Sequence, residues 1–324
     1  MELNIVGTNA ITYPVMHVWD WRVAIYLFLG GMSGGLMSMS AINYIRPKKG
    51  KVDSSCSWQI PVIAPILLAI GLLFLNFDLE RPFNAFWFYL AFKPVSPMSW
   101  GAWIVFVIYP LMILYALAAL PDAIKAKIKN PDLRGFADKM QPHLFKLAKA
   151  NFIAGILLAI YTGILLSSLV ARPLWNSAIL PMLFLCSGMS AGAAVMIIVA
   201  KTKETKLFFT KVDIWLIIAE LIILLLFFYG HYTGDAAHRQ AIMPFFSKSH
   251  EFFPYFLSIL IIGICLPLAI VLKFLEVTGE HTEELTTSGL LLMNASAVLV
   301  LVGSAVIRFA MVYAGQISGY GGYM

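Results

Sequence analysis

Charged side chains are scarce in this sequence. Asp, Glu, Lys and Arg make up only 12% of its 324 residues, whereas about one quarter is usual in soluble globular domains. Hydrophobic residues account for 60% of the sequence, and the mean hydropathy is +0.83. A water-soluble globular protein is therefore excluded, because its surface would require far more charge than this sequence has.

Ligands for metals and haem are equally sparse. The three cysteines, Cys56, Cys186 and Cys265, are scattered and lack the close pairing that zinc or iron–sulfur clusters require. A b-type haem needs histidines that point from helices into the core. The six histidines instead fall in predicted loops, at the termini or at a helix end: His17, His143, His231, His238, His250 and His281. We expect this protein to hold neither haem nor metal.

Signals for nucleotides and nucleic acids are also missing. No glycine run is followed by the Lys-Ser/Thr of a phosphate loop, and no strand is predicted ahead of a glycine fingerprint. The net charge of +6 is not arranged as a basic patch interleaved with stacking aromatic residues, so nucleic acid is not an expected partner. The first 21 residues have no basic segment ahead of an apolar run, so a cleaved signal peptide is not predicted.

Long apolar segments dominate the sequence instead. Each is about 20 residues long, which is enough to cross a hydrocarbon core of roughly 30 Å as a helix. The sequence therefore predicts an all-α integral membrane protein surrounded by lipid. Its eight transmembrane helices are expected near residues 22–45, 58–77, 99–120, 149–170, 178–200, 211–231, 252–275 and 288–315.

Lysine and arginine are concentrated in alternate connections between these segments. Basic connections are retained in the cytoplasm, so they indicate the orientation of the protein. With an even number of helices, both termini are expected on the opposite, outer side of the membrane. The basic connections are Arg46-Pro-Lys-Lys-Gly-Lys51, segment 122–149, and the connection that contains Lys201, Lys203, Lys206 and Lys211.

The sequence contains one internal repeat. Leu27-Phe-Leu-Gly-Gly-Met-Ser-Gly-Gly35 in the first helix nearly matches Leu183-Phe-Leu-Cys-Ser-Gly-Met-Ser-Ala-Gly192 in the fifth, once one residue is inserted. This repeat predicts two duplicated four-helix bundles, at residues 1–170 and 171–324. Its glycines, spaced by four residues, allow either a neighbouring backbone or a flat ligand to approach closely.

Ionisable residues within or beside the apolar segments are the first functional candidates, because burying them in a membrane is costly. Asp78 and Arg81 are three residues apart, so they can share a helix face and pair, either at a functional site or as an interfacial salt bridge that only ends the helix. Glu220 lies in the middle of a helix, and Arg308 is the opposite charge available to it. A structural clamp and a proton route are both open for this pair. The full set is Asp78, Arg81, Arg172, Asp213, Glu220, His231 and Arg308.

Two tyrosines lie inside predicted helices rather than in the interfacial belt where most membrane tyrosines occur. Tyr26 is in the first helix and Tyr161 is in the fourth. A buried phenol needs a hydrogen-bond partner. Both residues are therefore candidates for contact with a ligand.

Several short motifs together resemble the NrfD/PsrC family. Members of that family are membrane subunits that exchange electrons between the quinone pool and periplasmic iron–sulfur and molybdenum partners. The resemblance spans nearly the whole sequence. Its motifs are Trp19-Asp-Trp-Arg-Val-Ala-Ile-Tyr-Leu-Phe-Leu-Gly-Gly31, Asp78-Leu-Glu-Arg-Pro82, Ser96-Pro-Met-Ser-Trp-Gly-Ala-Trp103, Tyr161-Thr-Gly163, Arg172-Pro-Leu-Trp-Asn176, Ser187-Gly-Met-Ser-Ala-Gly192, and Arg308 with Tyr313-Ala-Gly-Gln316.

The resemblance implies a quinone site in the first bundle, near the outer face. Tyr26 and Tyr161 would bond the quinone oxygens, with Asp78 close by, although some family members have His in place of Tyr26. It also implies that Glu220 and Arg308 belong to the polar set that activity requires. The residues expected to bind the quinone are Tyr26, Asp78, Arg81, Tyr161 and Arg172, and those expected to act catalytically are Glu220 and Arg308.

The resemblance also implies partners and a location. The protein would lie in the inner membrane of a bacterium, with both termini periplasmic, and would oxidise menaquinol or ubiquinol for a ferredoxin-like iron–sulfur subunit and a molybdopterin catalytic subunit. Arg172-Pro-Leu-Trp-Asn176 resembles the polysulfide-reductase type, which predicts polysulfide or thiosulfate as the terminal acceptor. The alternatives are a subunit for formate-dependent nitrite reduction, a secondary transporter and a purely structural anchor.

Overall fold

The computed structural model describes residues 19–46, 54–79, 81–278 and 287–319. Within these residues all regular structure is helical, and eight helices are long and apolar enough to cross a membrane. The prediction of an all-α, multi-pass membrane protein is confirmed. The eight spans are Trp21–Ile45, Ser55–Asp78, Pro97–Ala118, Pro131–Ser167, Leu180–Val199, Lys203–Thr233, Phe253–Lys273 and Gly289–Ile317.

Shorter helices fill several of the connections. The 3-10 turn Pro82–Asn84 follows the second span, whereas the 3-10 turn Gln141–His143 and the π-helix Ile259–Cys265 lie within the spans Pro131–Ser167 and Phe253–Lys273. The α-helices in sequence order are α1 (Trp21–Ile45), α2 (Ser54–Asp78), α3 (Ala85–Leu90), α4 (Pro97–Ala118), α5 (Asp122–Lys125), α6 (Pro131–Met140), α7 (Leu144–Ser167), α8 (Leu180–Val199), α9 (Lys203–Thr233), α10 (Ala236–Phe246), α11 (Phe253–Ser258), α12 (Leu266–Thr278) and α13 (Thr287–Ile317).

The sixth span begins earlier than the sequence predicted. We expected it to start near residue 211, but α9 begins at Lys203. The reason is that Lys206 is buried rather than solvated. Its amine donates hydrogen bonds to the Ile197 carbonyl, near the end of α8, and to Asn294 Oδ1 at 2.9 Å. A lysine with these partners is accommodated inside the first turns of a helix, so the basic connection is shorter than expected.

Two glycine-rich helices, α1 and α8, pack backbone against backbone at the centre of the molecule. A Cβ atom built on Gly35 would overlap the Gly188 carbonyl, and one built on Gly192 would lie 2.7 Å from the Gly35 carbonyl oxygen. On its adjacent face, α1 packs in the same way on α7, where a Cβ on Gly34 would lie 2.6 Å from Gly155 O. Of the two interpretations of these glycines, close helix packing is therefore the one observed at Gly34, Gly35, Gly188 and Gly192.

The other spans are arranged around this central contact. Helix α1 contacts α2 and α7, and α4 contacts both of those helices. Beyond the glycine contact, α8 packs on α9 and α13, and α12 contacts α13 and α9.

The two ends of the helical array differ in composition. We call the end at which α1 begins and α2 ends the tryptophan face, since it carries Trp19, Trp21, Trp100 and Trp175. We call the opposite end the lysine face, since it carries connection 119–130 and the junction of α8 with α9. Lys125 is buried there and donates to Asp138 Oδ1 at 3.1 Å and Gln141 Oε1 at 2.8 Å.

Candidate functional site

A cavity of about 450 Å³ lies between α1, α2, α4 and α7 at the tryptophan face. This volume is within the range of roughly 300–1,000 Å³ that is usual for small-molecule sites. Its walls are mostly apolar, with a few polar side chains among them, as is common in sites that bind flat organic ligands. The lining residues are Trp19, Val23, Tyr26, Leu27, Leu72, Leu75, Asn76, Asp78, Leu79, Arg81, Asn84, Met98, Gly101, Ala102, Val105, Tyr161, Leu165 and Leu166.

Four of the five residues expected to bind a quinone line this one cavity. They come from separate elements: Tyr26 from α1, Asp78 from the end of α2, Arg81 from the connection that follows, and Tyr161 from α7. The fifth, Arg172, is placed elsewhere. Its guanidinium donates to the Ser318 carbonyl at 2.8 Å, at the end of α13.

Tyr161 is held firmly in the wall of the cavity. It is buried, with 4% of its surface exposed, and its hydroxyl donates to the Pro97 carbonyl at 3.1 Å. Pro97 is the first residue of α4, and Gly101 follows one turn later. A Cβ atom built on Gly101 would overlap the phenol oxygen. Gly101 therefore provides the space in which the Tyr161 hydroxyl reaches the backbone of α4.

Asp78 belongs to a small charged cluster at the mouth of α1. Asp78 and Arg81, both within the part of the chain that the structure describes, do not form the predicted ion pair, because α2 ends at Asp78 and Arg81 lies beyond it. Asp78 instead faces the carboxyl group of Asp20 and the guanidinium of Arg22. Arg22 is 3.5 Å from Asp20 and donates to the Phe77 carbonyl at 3.0 Å. The cluster therefore contains two carboxyl groups and one fixed positive charge.

The second predicted pair, Glu220 and Arg308, lies deep in the other half of the molecule. Both side chains are buried, at 5% and 0% exposure. Glu220 faces the Ser187 hydroxyl and, beyond it, the guanidinium of Arg308. Arg308 Nη1 donates to that same hydroxyl, and Nη2 donates to Phe184 O at 3.0 Å. Ser187 therefore lies beside both charged groups, and Glu220 and Arg308, both within the described part of the chain, form no direct ion pair.

A line of buried polar groups follows one side of α9. Lys206, Asp213 and Glu220 are seven residues apart, which places them on one helix face. Asp213 accepts a hydrogen bond of 2.5 Å from the Ser190 hydroxyl of α8. Near the end of α9, His231 is buried, with its ring nitrogens at 2.8 Å from Phe227 O and 3.2 Å from Pro173 O. Three of these residues, Asp213, Glu220 and His231, were among the ionisable candidates.

Several residues of these sites were missed by sequence reasoning. Trp19, Asn76 and Gly101 line the cavity, and Ser187 and Ser190 hold the buried charges. Asn76 had a detectable signal, because this amide directly follows the apolar run 60–75 of α2. Among the residues that the structure describes, no group of three His, Cys, Asp or Glu side chains is placed to hold a metal ion.

Comparison with known proteins identifies relatives that align with nearly the whole chain. The family model described as "Polysulphide reductase, NrfD" matches residues 9–318. The C subunit of polysulfide reductase from Wolinella succinogenes is 31% identical over 314 residues, which cover 92% of this protein and 94% of that one. Protein NrfD of Escherichia coli is 29% identical over 323 residues, covering 93% and 96%. The Hdr-like menaquinol oxidoreductase integral membrane subunit of Archaeoglobus fulgidus is 25% identical over 313 residues, covering 90% and 68%.

Proposed function

This chain belongs to the NrfD family of polysulphide reductase membrane subunits, and from that premise we propose that it binds quinol in the cavity at the tryptophan face. The observation that carries the proposal is the convergence of Tyr26, Asp78 and Tyr161 on one cavity from three helices. A relative named as a menaquinol oxidoreductase subunit supports the same ligand class.

The cavity fits a quinone ring by its volume, its apolar walls and its donors. On oxidation a bound quinol supplies two electrons and two protons. Tyr26 and Tyr161 would hold the two ring oxygens by hydrogen bonds, and the Tyr161 oxygen, whose proton is donated to Pro97 O, would accept from a quinol O–H. Asp78, with Asp20 and Arg22 around it, would take up a proton at the tryptophan face. Arg81 adds a positive charge to the same wall.

We assign a separate task to the buried polar line of the second half. Glu220 would take up and release protons, with Arg308 holding charge nearby through Ser187. One contact supports a link with the cavity. A Cβ atom built on Gly31 would lie 3.1 Å from Arg308 Nη2, so the guanidinium lies close to the backbone of α1. Gly31 is one turn of α1 beyond Leu27, which lines the cavity.

The proposed electron acceptor is an iron–sulfur subunit docked on the tryptophan face, with a molybdopterin subunit beyond it. Two relatives carry names that mark them as one part of a larger reductase or oxidoreductase. The basic residues of the lysine face support a cytoplasmic position for that face, so the tryptophan face and both termini would be periplasmic in the bacterial inner membrane.

We propose polysulfide or a similar sulfur compound as the terminal acceptor. This choice depends on the Arg172-Pro-Leu-Trp-Asn176 connection, because the polysulfide reductase C subunit and protein NrfD are nearly equal in identity to this chain, at 31% and 29%. Reduction of nitrite remains the alternative acceptor reaction. Comparing turnover of the complete complex with polysulfide and with nitrite separates the two.

The halves at residues 1–170 and 171–324 are proposed to be duplicated four-helix bundles. In support, α1 contacts α2 and α7, and α4 contacts both of these; α8 likewise contacts α9 and α13, and α12 contacts both of those. The two copies of the glycine repeat face each other where α1 meets α8. The proposed quinol site then belongs to the first bundle and the Glu220–Arg308 pair to the second.

Binding of a fluorescent quinol analogue to the purified protein in nanodiscs tests the proposal. Wild type should bind saturably, and Tyr161→Phe should weaken binding roughly fivefold to tenfold, as expected when one hydrogen bond is lost. In the assembled complex the same substitution should remove most quinol oxidation. Tyr109→Phe is the matched control, because the Tyr109 hydroxyl bonds Pro65 O at 3.3 Å outside the cavity. Absence of binding by wild type would overturn the proposal and favour a transporter or a structural anchor.

A further inference from the structure

Trp19 lines the cavity at the tryptophan face, and residues from the second half of the chain hold it in place. It precedes α1 and so lies outside any helix. Its backbone is bonded twice by the side-chain amide of Gln316: Trp19 N donates to Oε1 at 2.8 Å, and Nε2 donates to Trp19 O at 2.8 Å. Gln316 is 2% exposed and lies in the last turn of α13. A side-chain amide donates and accepts at the same time, and an apolar side chain such as Met or Leu can do neither.

The indole ring of Trp19 is held as well as its backbone. Trp175 stacks on it with ring centroids 5.2 Å apart and an interplanar angle of 27°. Trp175 is itself 1% exposed, and its Nε1 donates to Met311 O at 2.6 Å. A Cβ atom on Gly315 would overlap that indole nitrogen, so the ring is pressed against the backbone of α13. Gln316 thus fixes the backbone of Trp19, and Trp175 fixes its ring.

We propose that Gln316 is a positioning residue for the quinol site, acting through Trp19. This inference rests on the proposed function of the cavity. Trp175 covers one face of the Trp19 indole, and Trp19 lines the cavity together with Tyr26 and Asp78. A flat aromatic wall favours a flat ring ligand, but only while the wall keeps its orientation. The amide of Gln316 supplies that orientation without contacting the ligand.

A double-mutant cycle on the full-length protein in nanodiscs tests this inference, with binding of a two-ring naphthoquinol analogue as the readout. Gln316→Met keeps the length of the side chain but removes both bonds to Trp19, and it should weaken binding about tenfold, the loss expected for one aromatic contact. Trp19→Leu should weaken binding to a similar extent, although it leaves both backbone bonds to Gln316 intact. If Gln316 acts through Trp19, the double variant should bind no worse than Trp19→Leu alone.

Ser318→Ala is the matched control for general loosening of this end of α13. The Ser318 hydroxyl donates to Gly315 O at 2.7 Å and accepts from Leu174 N at 3.4 Å, and neither bond involves Trp19. The control should bind as wild type does. Additive losses in the double variant, or an equal loss in Ser318→Ala, would overturn the positioning role. If Gln316→Met does not fold, unchanged binding by Trp19→Leu overturns the inference by itself. Failure of wild type to bind would instead refute the proposed function.

Discussion

The phenol oxygen of Tyr161 lies directly against the Cα atom of Gly101, one turn into α4. This contact lets the hydroxyl reach the Pro97 carbonyl at 3.1 Å, and a Cβ atom on Gly101 would overlap the phenol oxygen. The two residues come from helices that are separated in the sequence by the whole lysine-face connection. Their contact fixes the hydroxyl that is proposed to hold one quinol oxygen.

Gly101→Ala should displace this hydroxyl. The added methyl group cannot share space with the phenol, so we expect quinol affinity to fall by about tenfold, comparable with the loss of one hydrogen bond and some ring contact. Binding of the quinol analogue in nanodiscs measures the effect. Gly135→Ala is the control, because nothing lies within 4 Å of a Cβ atom at Gly135 in α6. Equal affinities for Gly101→Ala and wild type would contradict this account of Tyr161.

Glu220→Gln should slow quinol oxidation without loosening quinol binding. The amide keeps the shape of the side chain but cannot carry a proton, and a lost proton carrier costs roughly a hundredfold in rate. Turnover of the assembled complex and binding by the same preparation are the two measurements. Glu251→Gln is the control, because Glu251 is exposed in the connection before α11. Weakened binding together with normal turnover would count against a role for Glu220 in proton transfer.

Gly35→Ala should destabilise the protein. Its Cβ atom would overlap the Gly188 carbonyl, and forcing helices apart in a packed core costs about 1–3 kcal/mol. Thermal unfolding in detergent reports the change as a lower Tm. The control is Gly30→Ala on the same helix, where the nearest atom is Thr162 Cγ2 at 3.7 Å. That control should be neutral or slightly stabilising, because Ala is a better helix former than Gly. A similar loss of Tm in both variants would refute the specific α1–α8 contact.

Asp235 should stabilise the start of α10 in a pH-dependent way. Its carboxylate accepts from the His238 backbone N–H at 2.9 Å and is 2.6 Å from Nδ1 of the His238 ring, and these contacts lower the pKa of Asp235. A lowered pKa in the folded state means that the stabilisation is complete above the unfolded-state pKa of about 3.9 and is lost as the pH falls through the folded-state value.

Hydrogen exchange of the first α10 amides measures this effect. At pH 7, Asp235→Ala should reduce the protection of the His238 amide about fivefold, since a lost N-cap costs on the order of 1 kcal/mol. The difference from wild type should shrink at pH 3. Asp235→Asn keeps a good cap without the charge, so its protection should not depend on pH over this range. A difference between wild type and Asp235→Ala that is the same at both pH values would show that the charge is not involved.

The positions of the spans followed from the sequence because the length of an apolar run is a local property. The start of α9 did not, because Lys206 enters the helix only when the Ile197 carbonyl and Asn294 are there to receive its amine. Ser187 was missed for a similar reason. A serine among glycines has no local feature that places it between Glu220 and Arg308, and only the packing of α8 between α9 and α13 does so.

The sequence by itself predicted an all-α membrane protein, and the described residues contain eight helices long and apolar enough to cross a membrane, because length and apolar character are local properties. Its resemblance to the NrfD/PsrC family drew attention to Tyr26, Asp78, Arg81 and Tyr161. Only the tertiary structure decided that these four residues share one cavity, that Arg172 bonds the end of α13 instead, and that Gly101 and Gln316 fix the cavity walls. The physical reason is that a glycine or an amide has no fixed role until a distant helix packs against it, and that contact depends on the arrangement of the whole helical array.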